Sequence, residues 1–274
     1  MVLLTLSLKG GVAQNEASNQ GASQNTNRHI SVVTAINNSL EYLKNNQSSD
    51  GSWTTITNQI ENTALVLSAF LRWGETKASP QYGATILKAY DWLLSVHPAS
   101  GDERLAVAVA LSDYYNLHKD NPTALRVEEL LVITNPPART LWMDILATTR
   151  IPNEKKRPAW CTTSQVFNER FASDTNRTPP TTRSEYLTAY VAGRAKLLSG
   201  GRMAADQYTL ANQIILQTQN DDGSFPATSK DQRITATALV LLSFADFSHA
   251  AFRFRPQKTR GEVKPADQEV KITL

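Results

Sequence analysis

From His29 onward apolar residues recur every three or four positions, the spacing of a helix with one face turned to a core. Ile30, Val33, Ile36, Leu40 and Leu43 form the first such stripe, ended by an Asn-rich turn and Gly51. Ile60, Ala64, Leu67 and Leu71 form the next, closed by Gly74. Nearly every residue over 64–71 is apolar or small, which predicts a helix covered on both sides. Ser79-Pro80 supplies a cap and a first-turn proline for a helix over 81–95 carrying Ile86, Leu87, Tyr90, Leu93 and Leu94. Asp102 is the expected cap of the next helix, again apolar nearly all round over 105–111. Asn121-Pro122 repeats the cap-plus-proline signal before 123–133, Pro136-Pro137 breaks the chain, and 141–149 reads as a short helix. Residues 151–180 are irregular apart from a helical piece at 164–171; Thr182 and Glu185 then make a capping box for 184–198. No alternating strand pattern precedes Ala250, and the tail beyond it reads as extended.

Two of these stretches nearly duplicate each other. Gln47-Ser48-Ser49-Asp50-Gly51-Ser52-Trp53 leads to Thr63-Ala64-Leu65-Val66-Leu67, and Gln219-Asn220-Asp221-Asp222-Gly223-Ser224-Phe225 leads to Thr237-Ala238-Leu239-Val240-Leu241. A repeat of this kind is one helical hairpin, and hairpins stack to bury a continuous core. The expected fold is therefore all-α: about ten helices paired into about five hairpins whose outer and inner members alternate. The array is either closed or partly open. Gln47 and Gln219 are expected to bond backbone groups of the turn, Gly51 and Gly223 to take a left-handed conformation, and Trp53 and Phe225 to pack on the next helix.

The unit from Gln47 to Trp53, like that from Gln219 to Phe225, resembles the QW repeat of triterpene cyclases and the related repeat of protein prenyltransferase β-subunits. Phe70-Leu71-Arg72-Trp73-Gly74, Tyr82-Gly83-Ala84-Thr85 and Trp92-Leu93-Leu94 are similar to bacterial prenyltransferase/squalene oxidase repeat proteins. The resemblance implies an α/α toroid over residues 29–249. It is good at both ends and poor over 122–180, and at residues 96–101 the repeat has lost its Gln and its aromatic.

The family's chemistry does not carry over with the repeat. The Asp-x-Asp-Asp acid of squalene-hopene-type cyclases and the Asp-Cys-Thr-Ala-Glu motif of the plant and animal enzymes are both absent from the sequence. Asp221-Asp222 lies in the repeat turn, where Asp is a turn former. Cys161 has Ala159 where the zinc-binding Asp of a prenyltransferase would stand, and it begins no Cys-Gly-Glu-Gln thioester. The reading is thus a non-catalytic repeat scaffold that binds a ligand or a partner protein, with no catalytic residue, metal or cofactor assigned. The alternatives are a terpene cyclase or prenyltransferase-like enzyme acting on an isoprenoid, and a polysaccharide lyase-type toroid. The lyase reading would use His97 or His118 with Tyr114 or Tyr115, Asn116 and Arg104; the helix dipole accounts for His118 equally well.

Trp73, Tyr90, Trp92, Tyr114 and Tyr115 are candidates to line a ligand cavity, or simply to fill the core; Trp142 and Trp160 are the aromatics expected to be exposed, and at the mouth of the ring they would be the best candidates for ligand contact. Basic clusters occur at Arg150, Lys155, Lys156 and Arg157 and at Arg253, Arg255, Lys258, Arg260 and Lys264, as solvated loops or as seats for an anionic partner.

Composition narrows the partners. At 274 residues and 41% hydrophobic content the chain buries one substantial core, and a net charge of +3 is too small to imply nucleic acid. The expected partner is a protein or a hydrophobic small molecule. No apolar run spans a bilayer. Residues 1–28 combine a short apolar start, Gly11-Val12-Ala13 and an Asn/Gln/Ser-rich stretch, resembling a truncated secretory signal and polar linker. Periplasmic or extracellular export and an unpacked cytoplasmic tail both fit, and residues 250–274 are expected to be a basic extended tail.

Overall fold

A computed structural model describes residues 31–53, 58–132, 141–158, 182, 185–186, 190 and 218–253. The expectations for residues 1–28, the helical piece at 164–171, Cys161, Trp160 and the tail beyond Arg253 lie outside these residues. Seven α-helices are present among them: α1 (Val32–Asn45), α2 (Gln59–Arg72), α3 (Gly83–Ser95), α4 (Gly101–His118), α5 (Asn121–Leu131), α6 (Leu141–Thr148) and α7 (Lys230–Arg253). The described residues contain no strand and are helical as expected.

The helices form two layers. α7, α2, α4 and α6 pack side by side in that order, while α1 lies on α7, α3 on α2 and α4, and α5 on α4. Inner membership follows from composition. Every residue of α2 from Glu61 to Leu71 is buried, and α4 is buried without a break from Leu105 to Ser112. α1 and α3 bury single stripes, centred on Ile36, Leu40 and Leu43 and on Ile86 and Leu93. Val33 and Leu87, placed in those stripes by spacing, are exposed: the buried face of α1 is centred nearer Ala35 and Ser39, and Leu87 stands beside rather than on the line of Ile86 and Leu93.

Several caps sit one or two residues from where the sequence signals put them. α4 is capped by Ser100, whose hydroxyl accepts from Glu103 N while the Glu103 carboxylate accepts from Ser100 N; Asp102 lies inside the first turn. Asp120, not Asn121, caps α5 and moves Pro122 into the first turn. Ser79-Pro80 opens a turn that runs into α3: Gly83 N donates to Ser79 O, and the Ser79 hydroxyl accepts from Thr76 N. α2 ends as expected at Gly74 (φ 83°), in a Schellman pattern with Glu75 N bonded to Phe70 O and Gly74 N to Leu71 O. The Thr182–Glu185 capping box is formed reciprocally. α7 continues to Arg253, past the expected start of the tail at residue 250, because no breaker intervenes before Pro256.

The two repeat turns share one set of bonds. Asp50 Oδ1 accepts from Ser52 N and Oγ, and Asp222 Oδ1 from Ser224 N and Oγ. Trp53 N donates to Thr63 Oγ1 at 3.0 Å, and Phe225 N to Thr237 Oγ1 at 3.1 Å. Gln47 Nε2 donates to Gly51 O and crosses to Thr85 O on α3; Gln219 Nε2 donates to Gly223 O and crosses to Ala35 O on α1. Gly51 and Gly223, at φ 97° and 86°, lie against the main-chain carbonyls of Lys88 on α3 and Asn38 on α1. The second turn, late in the chain, thus seats on the first helix as the first turn seats on α3.

Candidate functional site

Three charged side chains of the inner helices meet at one level toward their C-terminal ends. There Arg72 closes α2, flanked by Asp113 of α4 and Asp246 of α7. Arg72 Nε donates to Asp113 Oδ2 at 2.9 Å, and Nη1 to Asp246 Oδ1 at 3.1 Å and to the Tyr190 hydroxyl at 2.8 Å. The Tyr190 hydroxyl in turn donates to Asp246 Oδ2 at 3.2 Å. All three charged side chains are only 10–15% exposed. Repeat register produces this meeting. Arg72 and Asp246 each stand nine residues after their threonine, Thr63 and Thr237, so opposite charges occupy the same position in neighbouring repeats.

Electrostatics tie the group together. Burial works to neutralise Arg72, but Asp113, Tyr190 and Asp246 outweigh it and hold the guanidinium cationic. Burial raises the Asp113 carboxyl above its ordinary value, against the opposing pull of Arg72. Burial also lifts the Tyr190 phenol well above its ordinary value, so it serves as a neutral donor. Removing one partner from such a buried set leaves an uncompensated charge, which costs far more than the intact set contributes.

A second polar group joins α3, α4 and the start of α5. The rings of Tyr90 and Tyr114 stack at 3.9 Å, and His118 lies 4.2 Å from Tyr114 on its other neighbour along α4. The Tyr90 hydroxyl meets Thr123 Oγ1 at 2.9 Å and Asp120 Oδ1 at 3.3 Å. Burial, reinforced by Lys77, holds the His118 imidazole below its ordinary value; Asp120 pulls the other way.

The structure distributes the sequence candidates among several environments. Tyr90 and Tyr114 come together in the stack just described. Trp73 donates from Nε1 to Leu241 O and ties α2 to α7, while Trp92 lies half-buried against the core. Tyr115 carries the Lys119 ammonium over its ring. Trp142, expected to be exposed, is 3% exposed, because α6 is apolar on most of its surface and rests on α4. His118 and Tyr114 of the lyase reading meet ring to ring, whereas Asn116 donates to Arg150 O. Arg157 of the first basic cluster is a staple, donating to Leu146 O, Thr149 O and Glu154. The repeat residues stand as expected: Gln47 and Gln219 bond their turns, Gly51 and Gly223 are left-handed, and Trp53 and Phe225 are fully buried.

Sequence reasoning missed the Asp113–Arg72–Asp246 level. Its signal was present, as three isolated charges in otherwise apolar inner segments, two of them at the same repeat position. No helix among the described residues is long and apolar enough to cross a membrane. No protein-family model matches the chain, and no curated protein matches it.

Proposed function

We propose that this chain is a non-catalytic repeat scaffold of the squalene-cyclase and prenyltransferase type, an α/α toroid that binds a ligand or a partner protein. One observation carries the reading: the Gln219 turn seats on α1 through the bonds by which the Gln47 turn seats on α3. The last repeat therefore stands to the first outer helix as a preceding neighbour would, which is the relation a closed ring requires. The parts common to the two repeats serve to build the fold. Gln, Gly and the aromatic of each repeat face backbone or core, and two of the acids on inner helices, Asp113 and Asp246, are engaged by Arg72. A cyclase would need a carboxylic acid held ready to protonate an alkene, and an acid that accepts from a guanidinium is poorly suited to that task.

The test is direct. The purified protein is incubated separately with squalene and with an isoprenoid diphosphate, and the extracts are analysed by mass spectrometry. Recovery of both compounds unchanged is the expected result. Any cyclised or transferred product overturns the scaffold reading in favour of an enzyme.

A further inference from the structure

The two repeats differ where the turn meets the C-terminal end of the outer helix it seats on. The matching of Ala35 with Thr85 and of Asn38 with Lys88 puts Tyr42 of α1 in register with Trp92 of α3. The matching of Thr63 with Thr237 puts Arg233 in register with Gln59. In the first repeat a larger ring and a neutral amide hold these positions: Trp92 lies half-buried against the core, and Gln59 Nε2 donates to Ser52 Oγ at 2.8 Å. The second repeat leaves the same place open. A cavity of about 260 Å³ is lined there by Tyr42, Asn45, Asn46, Asp222, Lys230 and Arg233.

Three features give that cavity a chemical preference. Tyr42 is 7% exposed, forms part of the wall, and its buried hydroxyl has no hydrogen-bond partner in the protein. A buried donor left without a partner is costly unless something else accepts from it. Second, the lining carries two cations against one carboxylate, and Asp222 has its Oδ1 committed to Ser224. Asp222 Oδ2 lies 3.6 Å from Arg233 Nη1, too far for a hydrogen bond, so the guanidinium retains donors for another acceptor. Third, Lys230 and Arg233 stand in the first turn of the 24-residue α7, whose dipole adds positive potential. The volume falls below the roughly 300–1,000 Å³ of drug-sized sites, so it suits a small ligand or the end of a larger one.

We propose that the cavity between the C-terminal end of α1 and the N-terminal end of α7 is a binding site for a small carboxylate. The Tyr42 hydroxyl, Lys230 and Arg233 donate to its two oxygens. The first repeat is the built-in comparison, since it carries Trp92 in place of the Tyr42 phenol and the neutral Gln59 in place of Arg233.

The experiment titrates the full chain with sodium acetate against sodium chloride at constant ionic strength and neutral pH, reading backbone amide shifts by NMR. Saturable shifts at Asn45, Asn46 and residues 230–233, with acetate and not with chloride, are expected. Arg233→Gln and Tyr42→Trp copy the first repeat into the second, so they preserve a side chain already compatible with the unit. Arg233→Gln should weaken acetate about tenfold, the loss of one charge-assisted hydrogen bond, and Tyr42→Trp should abolish the saturable shifts with no fall in Tm. Tyr42→Phe, which keeps the ring and removes the hydroxyl, should weaken acetate about fivefold. Absence of saturable shifts in the unsubstituted protein overturns the proposal. So do shifts that persist unchanged in all three variants, which would place the anion elsewhere. The scaffold reading survives either failure, because it rests on the turn bonds and on the absence of turnover.

Discussion

Gly223 packs against the main-chain carbonyl of Asn38 so closely that a side chain on the glycine would occupy the space of that oxygen. The contact joins the late repeat to the first helix, and Gly51 makes the same contact with Lys88. Both glycines also need a left-handed backbone, which costs other residues about 1–2 kcal/mol.

Gly223→Ala and Gly51→Ala should therefore each destabilise by at least about 2 kcal/mol, the conformational penalty plus displacement of a neighbouring helix. Gly74→Ala is the control. Gly74 has φ 83° but open space around it, so the cost should stay near about 1 kcal/mol. Urea unfolding of the three variants measures the difference, and equal losses would refute the close-approach account.

Trp53 and Phe225 occupy the same position, but only Trp53 has a polar handle, its Nε1 donating to Leu43 O at 2.7 Å. Trp53→Phe should lose that bond and keep most of the packing, at about 1–2 kcal/mol. Trp53→Ala empties the space and should cost about 3–5 kcal/mol. Thermal unfolding separates the two, and a Trp53→Phe variant as damaged as Trp53→Ala would contradict the repeat alignment.

Arg72→Met should destabilise by about 3–5 kcal/mol, because Asp113 and Asp246 are left buried without their cation. Adding Asp113→Asn and Asp246→Asn to that variant should recover a large part of the loss. A double-mutant cycle by chemical denaturation reads the coupling directly. Additive effects would mean that the three side chains act independently.

His118 sets a pH dependence. Its folded-state proton affinity is depressed by burial, so between the depressed value and the ordinary 6.5 the unfolded chain binds a proton that the folded chain does not. Stability should hold above 6.5, fall as pH drops through it, and level once the folded imidazole also protonates. His118→Gln should flatten this part of the profile. Melting temperature measured from pH 8 to pH 5 tests it, and an unchanged slope in the variant would assign the effect to another group.

The helical class and the repeat turns were legible because each rests on local chemistry. The Asp-Gly-Ser sequence dictates the turn at residues 222–224, and the apolar run from Ala64 to Leu71 dictates burial on all sides. Caps were less legible, since Ser100 and Asp102, or Asp120 and Asn121, are competing acceptors within a residue or two, and tertiary packing chooses between them. Trp142 is buried against expectation because its short helix, next to the irregular stretch, carries no local sign of α4, against which α6 lies. The Arg72 level and the Tyr42 cavity depend on alignment between repeats. They become visible only when residues 42 and 92, or 72 and 246, are compared as equivalents.

The seating of the Gln219 turn on α1 also orders events during synthesis. α1 is made well before the turn that docks on it, and the amide that reaches Ala35 O and the Ser39 hydroxyl arrives only once Gln219 has been made. Until then the nascent chain carries an unfilled seat on its first helix. Closing so long a loop is entropically expensive and slow relative to forming local hairpins. Chains halted before residue 218 should consequently lack the contact that joins the last repeat to α1.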